Sequence, residues 1–138
     1  MVKLIPGRKG SGKTKILLEA IRGARTQSQG NVVVIQTKRS LNAEIKHHIR
    51  LVDIEDYSVT NCDGMQGFVG GIMASDYDCT HIFIDGILRI VGEDKTHDMA
   101  KIGAMLAHIH EVSGETTEVV LTLSLDEGEL TDDIKKYC

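Results

Sequence analysis

The sequence predicts an α/β protein: a three-layer α/β/α sandwich around a mostly parallel sheet of about five strands. Three observations carry this expectation. Short apolar runs alternate with stretches whose apolar residues recur at helical spacing, the pattern of βαβ units. One run, "VVVIQ" at residues 32–36, is continuously apolar and β-branched up to its last residue, as expected of a strand covered on both faces. With 138 residues, the chain can bury one proper core but not separate substrate domains, so residues 1–138 are read as one domain.

In chain order, "VKLI" at residues 2–5 is the first strand, ended by the lone proline, Pro6. Ile16, Leu17, Ala20, Ile21 and Ala24 then form an apolar stripe that predicts an amphipathic helix over 13–26. Gly30 and Asn31 turn the chain into the 32–36 strand, and a short helix is expected over 40–48. "RLVDI" reads as a brief strand. Met65, Phe68, Val69, Ile72 and Met73 suggest a helix despite Gly64, Gly67, Gly70 and Gly71, each of which costs up to ~1 kcal/mol relative to alanine. "HIFIDG", residues 81–86, is the next buried strand. Met99, Ile102, Met105, Leu106 and Ile109 predict a long helix over 96–112 closed by Gly114. "EVVLTLSL", residues 118–125, is the last strand, and a tail helix over 132–137 starts from Thr131 as its N-cap.

Charge is distributed unevenly along the chain. Residues 1–50 hold eleven Lys/Arg against two acids, whereas residues 51–138 hold five against eighteen, for a net charge of -4. Such asymmetry fits a phosphate-rich ligand or an oppositely charged partner surface. No apolar run approaches the ~20 residues that span a bilayer, and no signal-like segment precedes Val2, which predicts a cytoplasmic protein without membrane insertion. Cys62, Cys79 and Cys138 show no CxxC spacing and are read as reduced thiols. His47 and His48 are adjacent, and His108 and His110 are two apart; neither pair has the i, i+4 geometry of a helical metal site. Lys38, Arg39, Lys46 and Arg50 read as a solvated face rather than a grip on nucleic acid, because the chain has only five aromatics and an acidic pI.

The chemistry concentrates in "GRKGSGKT": Gly7, Arg8, Lys9, Gly10, Ser11, Gly12, Lys13 and Thr14 fit G-x-x-x-x-G-K-[ST] completely. Glycines let successive backbone N–H groups turn toward one anion, and the helix that follows adds its partial positive charge. Lys13 is expected to reach the β- and γ-phosphates of a nucleotide, and Thr14 to give its hydroxyl to Mg²⁺. The matching acid is Asp85, at the carboxyl end of "HIFID", where open α/β sheets place their ligands. Lys13 and Asp85 are therefore the expected catalytic pair, and Thr14 and Asp85 the expected metal pair.

With these residues the chain resembles a P-loop NTPase, with Walker A in residues 7–14 and Walker B in residues 82–85. The resemblance implies a minimal P-loop fold, and the long run between the 32–36 strand and Asp85 favours its additional-strand type, in which another strand separates the two Walker strands. The chain is similar to short stand-alone bacterial P-loop proteins labelled as related to the pilus-retraction ATPase of twitching motility, and more distantly to the thymidine kinase group. Efficient members of the family carry a glutamate beside the Walker B aspartate, where this chain has Gly86; the kinase's cysteine-bearing lasso is also missing. The resemblance thus implies Mg²⁺-dependent binding of ATP, or another NTP, with slow or partner-stimulated hydrolysis.

The alternatives are a nucleoside-type kinase and a non-catalytic scaffold or regulatory subunit. Glu93, Asp94, Asp53 and Asp63 are conceivable positioning acids, and Gln36, Thr37 and Ser124 conceivable phosphate contacts at strand ends. A homo-oligomer or a protein partner is the expected association, because a sheet this small leaves edges to cover.

Overall fold

The computed structural model describes residues 1–45 and 49–138. Its elements run β1 (Val2–Pro6), α1 (Lys13–Gln27), β2 (Asn31–Gln36), β3 (Arg50–Asp53), α2 (Cys62–Ser75), β4 (Cys79–Ile84), α3 (Ile87–Ile90), α4 (Met99–Ser113), β5 (Glu118–Leu123) and α5 (Asp132–Lys135). The five strands form one sheet in the order β1-β5-β4-β2-β3, and every neighbouring pair is parallel.

Alternation along each strand serves both faces. Val33, Ile35, Ile82, Ile84, Val119 and Leu121 pack with Met65 and Val69 of α2 and with Ile102, Met105 and Leu106 of α4. Val32, Val34, Phe83 and Val120 face the other way, onto Leu17, Ile21 and Ala24 of α1 and onto Leu41. Helices therefore flank the sheet on both sides, which explains why these strands read as continuous apolar runs. Residue 16 falls outside the expected stripe: Ile16 is 52 % exposed, so α1 buries only one narrow line of side chains.

Caps set several helix boundaries. Asn61 accepts from the Gly64 N–H and opens α2 despite its glycines, while Asp98 accepts from the Lys101 N–H, so α4 starts at Met99 rather than at residue 96. The N–H of Gly114, at φ 55°, closes α4 on the His110 carbonyl. The tail helix ends at Lys135, two residues short of expectation, and β5 ends at Leu123.

One expectation fails in the described part. Residues 38–44 form turns, not a helix, and residues 46–48 of the expected segment, with His47, His48 and Lys46, lie outside the described residues. The Gln36 carboxamide takes the Leu41 N–H that a helix would direct to the carbonyl of residue 37, and Ser40, Asn42 and Glu44 close single turns on carbonyls three residues back.

At the outer edge of β1, the Leu4 N–H donates to the Tyr137 carbonyl, so the tail covers part of that edge. All three cysteines are unpaired, and burial pushes the Cys79 thiol up to about 11. Among the described residues no helix is long and apolar enough to cross a membrane.

Candidate phosphate-binding site

Because all five strands are parallel, their carboxyl ends share one edge of the sheet. The loop from β1 to α1 leaves from that edge, as do the turn after β2 and the β4–α3 junction at Asp85 and Gly86. Strand β5 lies between β1 and β4, so the glycine loop and Asp85 sit two strands apart with β5 between them.

The loop owes its shape to glycine. Gly7 lies at φ 149°, a conformation that side chains rarely adopt, and a Cβ there would press on the Ser11 Oγ. Gly12, at φ 89°, is the residue from which α1 starts, and no side chain caps the helix. The first N–H groups of α1 thus lack a Ser, Thr or Asp cap, the arrangement that lets a helix start meet an anion. The Gly7 N–H itself donates to the Leu125 carbonyl at 2.8 Å, anchoring the loop to the end of β5.

Lys13 folds back across this loop, its Nζ donating to the Arg8 carbonyl at 2.9 Å, and it is only 9 % exposed. Burial lowers its pKa from the ordinary lysine value; the Asp85 carboxylate opposes that shift. The loop cation and the strand-end acid therefore share one electrostatic environment.

Asp85 is held from two sides. Its N–H donates to the Ile35 carbonyl at 3.0 Å, and its Oδ1 accepts from the Thr122 hydroxyl at 2.9 Å. The same Thr122 oxygen accepts from the Gly86 N–H at 2.7 Å. Thr122 is a buried residue of β5 that sequence reasoning passed over. Its signal was legible: a single hydroxyl within "EVVLTL" must find partners once the strand is buried.

Thr14 lies exposed in the first turn of α1. Its hydroxyl and the Asp85 carboxylate are hard oxygen donors of the kind that would suit Mg²⁺. Among the described residues no three His, Cys, Asp or Glu side chains gather to hold a metal by themselves.

Arg8 and Lys9 diverge. Arg8 Nε lies 2.6 Å from Asp126 Oδ2, clasped to the turn after β5. Lys9 instead lines a cavity of about 280 Å³ with Gly86, Arg89, Asp94, Lys95 and Ser124.

The other conceivable polar contacts sort by what already holds them. Gln36 Oε1 accepts from the Leu41 N–H, and its Nε2 donates to Asn42 Oδ1, both at 2.7 Å, so its side chain builds the turn after β2. Asp53 accepts from the Arg39 and Glu55 N–H groups. Glu93 accepts from the Thr96 hydroxyl and the Asp98 N–H, and these bonds lower its pKa. Asp63 lines a separate pocket with Glu93, between α2 and α4. Thr37 receives a long, 3.4 Å bond from Arg89. Of the four acids, Asp94 shares a cavity with Lys9 of the glycine loop.

Compared with protein-family models and with curated proteins, the chain matches none.

Proposed function

We propose that this chain is a minimal P-loop nucleotide-binding protein that holds Mg²⁺ and ATP, or another nucleoside triphosphate, and hydrolyses it slowly. The observation that carries the reading is the uncapped start of α1 behind a loop with Gly10 and Gly12 at positive φ, with buried Lys13 folded over it and electrostatically coupled to Asp85. The strand order, with β5 between β1 and β4, supports the additional-strand form of the fold.

In this reading, the backbone N–H groups at the start of α1 bind the phosphates, and Lys13 exchanges its bond to the Arg8 carbonyl for the β- and γ-phosphate oxygens. Thr14 and Asp85 would hold the cation, which when bound would offset phosphate charge. Thr122 orients Asp85 from below. Gly86 supplies no base, so turnover on the order of 10⁻³ s⁻¹ is expected, the range of P-loop sites without an added arginine.

Thermal denaturation tests this. At a hundredfold excess over Kd, Mg·ATP should stabilise the wild type by about 2.7 kcal/mol, raising Tm by about 9 °C. In Asp85→Asn the part of the shift that depends on Mg²⁺ should vanish. A wild type indifferent to every nucleoside triphosphate would leave only the scaffold reading.

A further inference from the structure

The cavity beside the glycine loop has a composition that nucleotide binding alone does not require. Lys9 reaches it from the β1–α1 loop, Arg89 from α3, and Lys95 from the connection between α3 and α4. Three cations from separate segments thus converge on about 280 Å³, with Asp94 as the one acid. All three cations are exposed, and among the described residues none forms an ion pair. Arg89 spends one N–H on the Thr37 hydroxyl and keeps the rest of its fork.

Cations gathered from separate elements repel one another, weakly where water screens them, and an anion placed between them turns that repulsion into attraction. The larger groove between β2, β3 and α2, about 450 Å³, lacks this feature: it is lined by Val33, Val52, Phe68 and Ile72 and holds a single cation, Arg50.

We propose that the smaller cavity is a second anion site, next to the nucleotide's, that takes a small phosphate monoester bearing a free hydroxyl. The formal charge of the lining, +2 from three cations and one acid, matches a monoester that carries close to two negative charges at neutral pH. Arg89 offers the two-pronged geometry that phosphate oxygens favour, and the lysines add point charges. Asp94 would repel a bare anion; its presence fits a ligand whose hydroxyl donates to the carboxylate while its phosphate meets the cations. Ser124, at the end of β5, adds a further hydroxyl. The location beside the nucleotide rests on the function proposed above, whereas the anion site itself does not.

The test is calorimetric titration of glycerol 3-phosphate and of sulfate into protein saturated with Mg²⁺ and a non-hydrolysable ATP analogue. Wild type should bind one glycerol 3-phosphate with a millimolar or tighter Kd. Arg89→Ala/Lys95→Ala should weaken it at least tenfold and leave the nucleotide Kd within twofold. Asp94→Asn should tighten sulfate and erase the preference for the hydroxylated ligand. All three residues are exposed, and an unchanged melting curve verifies folding.

No saturable second anion on the wild type, or equal binding by the double variant, overturns the proposal. If the nucleotide analogue itself fails to bind, the nucleotide reading falls, and the titration is repeated on free protein. Glycerol 3-phosphate binding that survives Lys13→Ala but not the double variant then supports the cavity; loss in both overturns it.

Discussion

Two loops leave the same edge of the sheet and are built by opposite means. The β1–α1 loop takes its shape from backbone freedom: Gly7, Gly10 and Gly12 all sit at positive φ, and the side chains of Arg8, Lys9, Ser11 and Thr14 stay exposed. The turn after β2 also contains positive φ values, but at Lys38 and Arg39, where side chains elsewhere enforce them. Gln36 holds the Leu41 N–H and Asn42 from one end, and Asp53 holds the Arg39 N–H from the other. The glycine loop leaves the first N–H groups of α1 without a side-chain cap. A turn bound by side chains spends its polar groups on itself, so the two should fail differently when cut.

The largest effect is expected in the first loop, on affinity. Lys13→Ala should weaken Mg·ATP about 10²-fold by calorimetry, because a charge-assisted hydrogen bond to phosphate contributes ~1.5–3 kcal/mol, while Tm of the free protein should not fall. The pH dependence sharpens the point. Burial lowers the Lys13 pKa, with Asp85 opposing, so the folded state holds this proton less tightly than the unfolded chain. The resulting penalty on stability is present below the folded pKa and disappears as pH rises toward 10.5. A triphosphate favours the charged form, so binding should take up protons at alkaline pH and weaken as pH climbs through that window. Titrations in two alkaline buffers of different ionisation enthalpy would detect the uptake; finding it equally in Lys13→Ala would assign it to another group.

In the second loop the same kind of cut should appear as lost stability. Gln36→Ala strands the buried Leu41 N–H, at ~1–3 kcal/mol. Tm should drop by about 7 °C for a mid-range loss of ~2 kcal/mol, with the nucleotide Kd changed less than threefold. A large change in Kd with a steady Tm would reverse the contrast between the loops. Smaller again is Gly12→Ala. A Cβ at this position meets nothing within 4 Å, so only the backbone conformation at φ 89° resists, at ~1–2 kcal/mol. The melting curve should move down by about 3–7 °C.

The contrast also explains what could be read from the sequence. Glycine at positions 7, 10 and 12 advertises its loop, because the constraint lies in the residues that form it. The strands were equally open to reading, since burial on both faces leaves apolar runs such as "VVVI" and "HIFI". The turn after β2 was misread as a helix because its determinants are remote or ambiguous: Asp53 lies fourteen residues from its Arg39 N–H partner. Nothing about Gln36 in sequence distinguishes a structural side chain from a phosphate contact. Four-residue α3, which carries Arg89 into the cavity, is too short for a periodicity to register. The clasp between Arg8 and Asp126 joins residues far apart in the chain, which one sequence does not pair.

The smallest predicted effect separates the two modes of construction most cleanly. Lys38 holds φ 50° with an exposed side chain, a conformation that costs a non-glycine residue about 1 kcal/mol or more. Lys38→Gly removes that strain but gives the unfolded chain more freedom to lose, an opposing ~0.5–1 kcal/mol. The difference should be a gain of about 0.5 kcal/mol, or roughly 2 °C in Tm, while Lys38→Ala, which keeps the strain, should change nothing. If the turn is held by Gln36 and Asp53 as the hydrogen bonds indicate, the gain from Lys38→Gly should persist in the Gln36→Ala background only as far as the turn keeps its shape. Full additivity in the double variant would mean that the strained backbone stands without its side-chain pins, and that the second loop resembles the first after all.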